Sequence, residues 1–273
     1  VVGSTPGEAV WDSNFKCVLH LSESSGTIID STNNDNDASI SGDGVTQGTP
    51  QKIGPGVALA GSDDYLMMDT AGLGSAWAEF TTEIYGRFDS VGGGVDRALI
   101  GAWGGTNGDL FLLYYDSTGS TQMRYIIRPE ENTTTLSVYY GSSPPLADTW
   151  YYHAGTYKQN DDAYGWENGS PSSVGGVPDE PINTQTTNIR VGVDGNDGKD
   201  LDGKVDEIRI SDTVRSTAWI VATRESGNDD LLDWSSEELE NNAPNSPTLT
   251  NPSNNTRYNR EDSVLYEWDF SDP

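Results

Sequence analysis

The chain has 273 residues, a formal net charge of −28 at pH 7, and aromatic side chains at 10 % of its positions. This length can bury a real core in one large or two small domains, and the aromatic content argues against disorder. Only 15 lysine and arginine residues oppose 43 aspartate and glutamate residues, so nucleic acid and anionic membrane surfaces are poor partners, and no apolar run approaches the roughly 20 residues that insert into a bilayer.

Short runs rich in aromatic and β-branched residues follow one another, separated by Gly, Asn and Asp turn signals. Within Trp150–Tyr157 apolar and aromatic residues alternate with period two, which predicts sheets with one buried face. One helix is expected, over Ser216–Glu225, with Ser216 as its cap. The predicted strands are Cys17–Leu21, Val57–Ala60, Tyr65–Met68, Phe80–Phe88, Ala98–Trp103, Leu110–Tyr115, Gln122–Arg128, Thr134–Tyr140, Trp150–Tyr157, Ala163–Glu167, Asn188–Val193 and Val205–Ile210.

The pattern predicts an all-β antiparallel sandwich over residues 10–240. Cys17, the only cysteine, is expected to be a small buried hydrophobe rather than a reactive thiol. Residues 241–247 have the Asn and Pro content of an interdomain linker. The 26 residues of 248–273 are too few to bury a core alone, which predicts a truncated further domain or an arm that docks on the first.

Four stretches carry a family resemblance: Val10–Leu21 with the loop Asp30–Asn34, Ile53–Tyr65, Trp150–Tyr157, and Leu201–Ser211. In this order they resemble the laminin-G-like, concanavalin A-like jelly-roll lectin/glucanase superfamily. The resemblance implies a two-sheet jelly roll. Residues 1–9 resemble the tail of a preceding domain, and 248–273 the start of an immunoglobulin-like or fibronectin type III module. The resemblance of the domain and of its flanking segments therefore implies a secreted or cell-surface multidomain protein.

Acidic and amide side chains crowd the loop that begins at Asp30, and hard cations such as calcium bind six to eight such oxygens. In related jelly rolls, the positions that match Asp30, Asn34 and Asp206 share a calcium ion. The resemblance thus predicts calcium here. The alternative is that these Asx side chains hold turns through hydrogen bonds to the backbone. High acidity is also consistent with plain solubility or with a high-salt solvent.

No catalytic arrangement is expected. Retaining glycosidases need two carboxylates about 5–5.5 Å apart, and the alternating acidic strand of the glucanase relatives has no counterpart in this sequence. Glu79 and Glu83 are four residues apart, and the adjacent Asp206 and Glu207 are expected to face opposite sides of their strand.

Exposed aromatic rings would let the domain bind sugars by stacking. Adjacent tyrosines such as Tyr139 and Tyr140 must face opposite sides of a strand, so one of each pair is expected outside the core. Among the aromatic candidates the prediction selects Trp103, Tyr115 and Trp166 as ligand-binding residues. The wider set also contains Tyr114, Tyr139, Tyr140 and Tyr164.

Two functions remain open on the sequence. The first is a non-catalytic module for carbohydrate binding or adhesion, with a polysaccharide or a glycoprotein glycan as partner. The second is a structural module of a surface layer, extracellular filament or virion fibre, whose partners are other copies or surface proteins. An exposed aromatic ring with polar groups beside it favours the first.

Overall fold

A computed structural model describes residues 10–68, 76–102, 111–129, 135–182, 188–195 and 198–229. The chain divides into two compact units, Val1–Leu231 and Leu232–Pro273, and every described residue belongs to the first. The predictions made for 1–9, 241–247 and 248–273 therefore lie outside the described residues.

Period-two alternation produces the strands, as in Phe80–Phe88, where Phe80, Ile84 and Phe88 point into the core between the sheets. The described part of the chain contains fifteen strands and one helix. They are β1 (Phe15–Leu19), β2 (Ala38–Ser41), β3 (Thr46–Pro50), β4 (Pro55–Ala60), β5 (Tyr65–Met68), β6 (Glu79–Phe88), β7 (Arg97–Ala102), β8 (Phe111–Asp116), β9 (Gln122–Ile127), β10 (Leu136–Tyr140), β11 (Trp150–Lys158), β12 (Ala163–Glu167), β13 (Ser170–Val174), β14 (Ile189–Val191), β15 (Asp202–Ser211) and α1 (Thr217–Gly227).

The strands form two antiparallel sheets. The eight-stranded sheet has the order β13-β12-β11-β6-β15-β4-β3, with β1 also paired to β15. The seven-stranded sheet has the order β10-β9-β8-β7-β14-β5-β2. Some neighbours follow one another in sequence, as β7 to β10 do, but others are distant in sequence, as β6 and β15 are, and the register of those pairs cannot be read from local turns. This is the predicted two-sheet jelly-roll sandwich.

The core fills the space between the sheets with aromatic and aliphatic side chains. Phe80 packs against Phe111 from the opposite sheet, with ring centroids 5.1 Å apart and the ring planes inclined by 50°. Gly155 and Gly165 give two tyrosine rings room to lie on the backbone. A Cβ atom at Gly155 would lie 2.8 Å from the ring of Tyr125, and one at Gly165 would lie 2.4 Å from Tyr140. Cys17 is fully buried, as predicted.

Helix α1 lies on the outer face of the eight-stranded sheet. Its cap is Ser216, as predicted, whose hydroxyl accepts a hydrogen bond from the backbone N–H of Trp219 at 3.2 Å. Ile220 is fully buried against the aromatic side chains of that face. The hydroxyl of Tyr85 donates to the carbonyl of Arg224 at 3.1 Å and so ties the last turn to β6. Within the described residues, no helix is long and apolar enough to cross a membrane.

A β-bulge in β15 overturns one expectation. The register with β6 shifts between Asp206 and Arg209, and Glu207 takes a φ of 47°. The extra residue breaks the strict alternation of faces. The carboxylate of Glu207 therefore bonds Arg209 at 2.9 Å, on the outer face that Asp206 shares with Tyr85. The prediction that Asp206 and Glu207 face opposite sides was wrong for this reason.

Candidate functional site

Three side chains line up across the outer face of the seven-stranded sheet. In the ladder, Tyr139 of β10 pairs with Arg124 of β9, and Arg124 pairs with Tyr114 of β8. Paired residues of antiparallel strands lie on the same face of a sheet. The ring of Tyr140, next along β10, lies in the core, so Tyr139 must face outward.

Arg124 is held in place by both neighbouring strands. Its Nη1 donates to the hydroxyl of Tyr114 at 2.8 Å, and its Nη2 donates to the Ser137 hydroxyl at 2.8 Å. Its Nε donates to the same Ser137 oxygen at 3.3 Å. The guanidinium also lies 5.1 Å from the ring centroid of Tyr139 and 5.9 Å from that of Tyr114, distances at which a cation and a π face attract each other.

The two tyrosines of this row differ in exposure. Tyr114 is 3 % exposed, and burial raises the pKa of its hydroxyl to about 12, so it stays a neutral hydrogen-bonding group. Tyr139 is 43 % exposed and is the one exposed aromatic ring among the described residues. Together these groups form the Tyr139–Arg124 site. It consists of the solvent-exposed ring of Tyr139 beside the partly exposed guanidinium of Arg124, which Tyr114 and Ser137 hold in place.

Two more cationic side chains lie over tyrosine rings of this sheet, although the chain as a whole is acidic. Lys199 lies over Tyr114, with its Nζ 5.6 Å from the ring centroid, and Arg190 lies over Tyr65 at 4.8 Å. Carboxylates balance part of this charge. Asp116 lies 3.7 Å from Nη1 of Arg124, and Lys199 contacts Asp194 at 3.3 Å.

None of the three aromatic residues selected from the sequence is among the residues of this site. Trp103 lies outside the described residues. Tyr115 is 2 % exposed and packs against Phe88 in the core, which corrects the expectation that it reaches a ligand surface. Trp166 is 4 % exposed, because the side chains beneath α1 surround it. Of the wider set, Tyr139 and Tyr140 do face opposite sides, 43 % and 1 % exposed.

Sequence reasoning missed Arg124. The available signal was an arginine between apolar residues in the middle of the strand Gln122–Ile127. Such a residue either pairs on a solvated face or takes part in binding, and the sequence does not show which tyrosines lie beside it.

The outer face of the eight-stranded sheet carries a second aromatic group beneath and beside α1. Trp150, Tyr164 and Trp219 are half-buried around the buried Trp166. Glu83 is buried among them. Its Oε1 accepts hydrogen bonds from the Tyr152 hydroxyl and from Nε1 of Trp219 at 3.3 Å.

Glu83 is not placed as a catalytic acid. It is 1 % exposed beneath Trp219 of the helix, so a substrate cannot reach it, although burial raises its pKa as in a general acid. Glu79 lies four residues earlier on the same face of β6, which places the two backbones roughly 13 Å apart along the strand. Their carboxylates also have separate partners: that of Glu79 contacts Lys158 at 3.1 Å and accepts from the Thr213 hydroxyl, whereas that of Glu83 is bound beneath the helix.

The residues predicted to hold calcium do not fit a cation as arranged. Both carboxylate oxygens of Asp30 accept two hydrogen bonds. Oδ1 accepts from the backbone N–H of Val18 and of Thr32, at 2.9 and 3.0 Å. Oδ2 accepts from the Thr32 hydroxyl and from the backbone N–H of Asn36, at 2.8 and 3.0 Å. No acceptor position remains for a metal ion.

The Asn34 amide donates to the Thr32 hydroxyl, which in turn donates to Asp30. Asp206 has different partners. Its oxygens accept from the backbone N–H of Ile53 at 2.7 Å and of Glu207 at 3.0 Å, and burial raises its pKa to about 7. Across the described ranges, no three His, Cys, Asp or Glu side chains are grouped as a metal site would need. Side-chain bonds to the backbone, the alternative for this loop, are confirmed at Asp30.

An acidic cleft of about 490 Å³ lies between the β2–β3 and β4–β5 turns, lined by Gly42–Gly44 and Ala60–Asp64. The carboxylate of Asp64 closes its base by accepting from the backbone N–H of Gly44 at 2.9 Å. The Asp64 carboxylate therefore serves to hold the two turns together.

A family model described as the concanavalin A-like lectin/glucanases superfamily matches residues 60–221, more than half of the chain. The chain belongs to this superfamily. The match contains the closing strand β15, with the bulge at Glu207, and the first turns of α1. It also contains all the residues of the Tyr139–Arg124 site.

Solved structures share the fold of this superfamily member at low sequence identity. The binding domain of Paraclostridial Mosquitocidal Protein 1 gives a TM-score of 0.61 at 12 % identity, with 78 % of this chain and 52 % of that chain covered. The botulinum neurotoxin serotype D ligand-binding domain in complex with N-acetylneuraminic acid gives 0.57 at 13 %, covering 81 % and 52 %. The binding domain of botulinum neurotoxin DC with SialylT gives 0.59 at 12 %, covering 78 % and 51 %.

This chain therefore spans about half the length of those structures, and the likeness shows the fold alone. No curated protein matches the chain.

Proposed function

We propose that this domain is a non-catalytic glycan-binding module of a secreted or cell-surface protein, with a polysaccharide or a glycoprotein glycan as its partner. The supporting observation is the Tyr139–Arg124 site, in which an exposed ring stands beside fixed polar groups. Sugars stack their apolar faces on such rings, while nearby donors bind their hydroxyls. A purely structural module would not need this arrangement, so the site favours binding over an assembly unit for other copies or surface proteins.

Fold and comparisons support the proposal in a coarse way. The superfamily is named for lectins as well as for glucanases, and two structural neighbours were solved with N-acetylneuraminic acid or SialylT. The separate partners of Glu79 and Glu83, and the burial of Glu83, favour a lectin-like over a glucanase-like role. Calcium has no role in the proposal, because Asp30 has no acceptor position left.

The test is a glycan array screened with the wild-type chain and with Tyr139→Ala. Tyr164→Ala is the matched control, because Tyr164 is a half-buried tyrosine on the opposite sheet. We expect wild type and Tyr164→Ala to bind the same glycans. We expect Tyr139→Ala to lose about tenfold or more, since stacking on an aromatic ring is a main contribution in such sites. An array without any bound glycan, or a Tyr139→Ala profile equal to that of wild type, would overturn the proposal.

A further inference from the structure

The guanidinium of Arg124 keeps two hydrogen-bond donors for a ligand. A guanidinium has five N–H groups. Three of them donate within the protein, from Nε and Nη2 to Ser137 and from Nη1 to Tyr114. One N–H on each terminal nitrogen is left without an acceptor among the described residues, and the side chain is 27 % exposed. A carboxylate can accept two parallel hydrogen bonds from such a pair.

Nearby acceptors are scarce. Asp116 is the carboxylate beside Arg124, at 3.7 Å from Nη1, which is beyond hydrogen-bond distance. Its own oxygens accept from the backbone N–H of Gly119 at 2.9 Å and from the Ser120 hydroxyl at 3.4 Å, and its side chain is 7 % exposed. It offsets part of the charge of Arg124 but is poorly placed to meet a sugar hydroxyl. The side chains that face a ligand at this site therefore offer hydrogen-bond donors rather than a balanced set of donors and acceptors.

Rigidity adds to this selectivity. The rings of Tyr114 and Tyr139 and the Ser137 hydroxyl fix the guanidinium before any ligand arrives, so little side-chain entropy is lost on binding. The local charge also matters because the whole chain carries −28. An anionic ligand must be drawn by contacts close to it. Lys199 on the other side of Tyr114 is already balanced by Asp194 at 3.3 Å and by Asp96 at 3.8 Å, so Arg124 is the group that draws the ligand.

We propose that the Tyr139–Arg124 site selects sugars that carry a carboxylate, with the sugar ring stacked on Tyr139 and the carboxylate bridged by the two remaining N–H groups of Arg124. This proposal rests on the proposed function and specifies the ligand class. Arg124 determines specificity, and Tyr114 and Ser137 position it.

Calorimetric titration with two matched pairs of oligosaccharides tests the proposal. One pair is trigalacturonic acid and its methyl ester, and the other is sialyllactose and lactose. We expect at least one acidic member to bind the wild-type chain about tenfold or more tightly than its neutral partner. Arg124→Lys keeps the charge but not the paired donors, and it should lose about tenfold in affinity for the acid. Asp116→Asn should bind the acid more tightly, because a competing negative charge is removed.

The outcomes separate the two proposals. Equal binding of acidic and neutral members, with both lost in Tyr139→Ala, would overturn acid selectivity and leave the glycan-binding function standing. Acid binding that is unchanged in Arg124→Lys would also overturn the assignment to Arg124. Binding of neither member of either pair, together with a glycan array on which only neutral sugars are bound, would overturn acid selectivity alone. An array without any bound glycan would overturn both. Thermal melts of each variant identify any loss of affinity that arises from unfolding.

Discussion

His153 should make the domain sensitive to acid, and the variant His153→Phe tests this directly. The imidazole lies fully buried between the sheets, packed against the rings of Tyr140 and Tyr151. Neither ring nitrogen has a hydrogen-bond partner among the described residues. Burial without a partner disfavours the charged form and lowers the pKa of His153 from 6.5 to about 3.

The sign follows from counting protons. Between pH 6.5 and pH 3 the unfolded chain carries a proton on this histidine and the folded chain does not. Stability from the neutral imidazole is therefore complete above pH 6.5 and is lost as the pH falls toward 3. With about 1.36 kcal/mol for each pKa unit, the wild type should lose about 2.5 kcal/mol more than His153→Phe between pH 6 and pH 4.

The measurement is urea unfolding, followed by tryptophan fluorescence, at pH 4, 5, 6 and 7 for both proteins. Other titrating groups, such as Asp206 and Glu83, are present in both and cancel in the difference. A poor fit of phenylalanine would shift the whole curve by a constant and would not alter its slope. Parallel stability curves for the two proteins would refute the reasoning.

His20 is the other of the 2 histidines of the chain, and it supplies a control in which stability depends on pH with the opposite sign. Its Nδ1 lies 2.7 Å from Oε1 of Glu207, and this hydrogen bond raises the pKa of His20. Stability from the protonated ring is complete below pH 6.5 and is lost as the pH rises through the raised pKa. The free energy of unfolding of wild type minus that of His20→Gln should therefore fall toward pH 8. The corresponding value for His153→Phe should fall toward pH 4.

Three further predictions concern stability. Asp30→Ala should lower the free energy of unfolding by about 3 kcal/mol, because four hydrogen bonds to a buried carboxylate are lost. Melting temperatures of the metal-stripped wild type should be equal with calcium and with chelator, and a calcium-dependent rise that Asp30→Ala abolishes would contradict our assignment. Gly155→Ala should cost about 1–3 kcal/mol in urea unfolding, since its Cβ would lie 2.8 Å from the Tyr125 ring; an unchanged midpoint would show that the ring can move aside. Ser216→Ala should cost about 1 kcal/mol through the lost helix cap, whereas Ser216→Asn, which can still cap, should be near neutral in the same assay.

Much of the fold could be predicted from consecutive residues. Alternation predicted the strand Trp150–Tyr157, which the structure extends to Lys158, and it separated Tyr139 from Tyr140. The expectation of one buried face was wrong for this strand, because the aromatic group beneath α1 buries its outer face as well. Three strands were missed: Ala38–Ser41, Thr46–Pro50 and Ser170–Val174. Each is rich in small and polar residues, and the structure places all three at the ends of their sheets. Edge strands bury little, so they leave no apolar pattern in the sequence.

The candidate site could be predicted only in part. The sequence indicated that some tyrosines must face away from the core, and Tyr139 was among the candidates. It could not indicate that Tyr115 is turned inward, that α1 covers Trp166, or that Arg124 lies between Tyr114 and Tyr139. Those facts depend on the register between strands and on what packs over each face, and neither is a property of consecutive residues.

By itself the sequence determined the class of fold, since period-two alternation and turn residues are local and repeat along the chain. The tertiary structure decided the chemistry. The register of β8, β9 and β10 set one guanidinium between two rings. The sequence offered Asp30 either as a calcium ligand or as a turn residue. In the structure its carboxylate accepts hydrogen bonds from backbone N–H groups and so holds the turn. The physical reason is the same in both cases: a side chain acquires its role from the partners that the folded backbone brings within hydrogen-bond distance, and those partners follow from strand register and loop conformation rather than from the pattern of residue types.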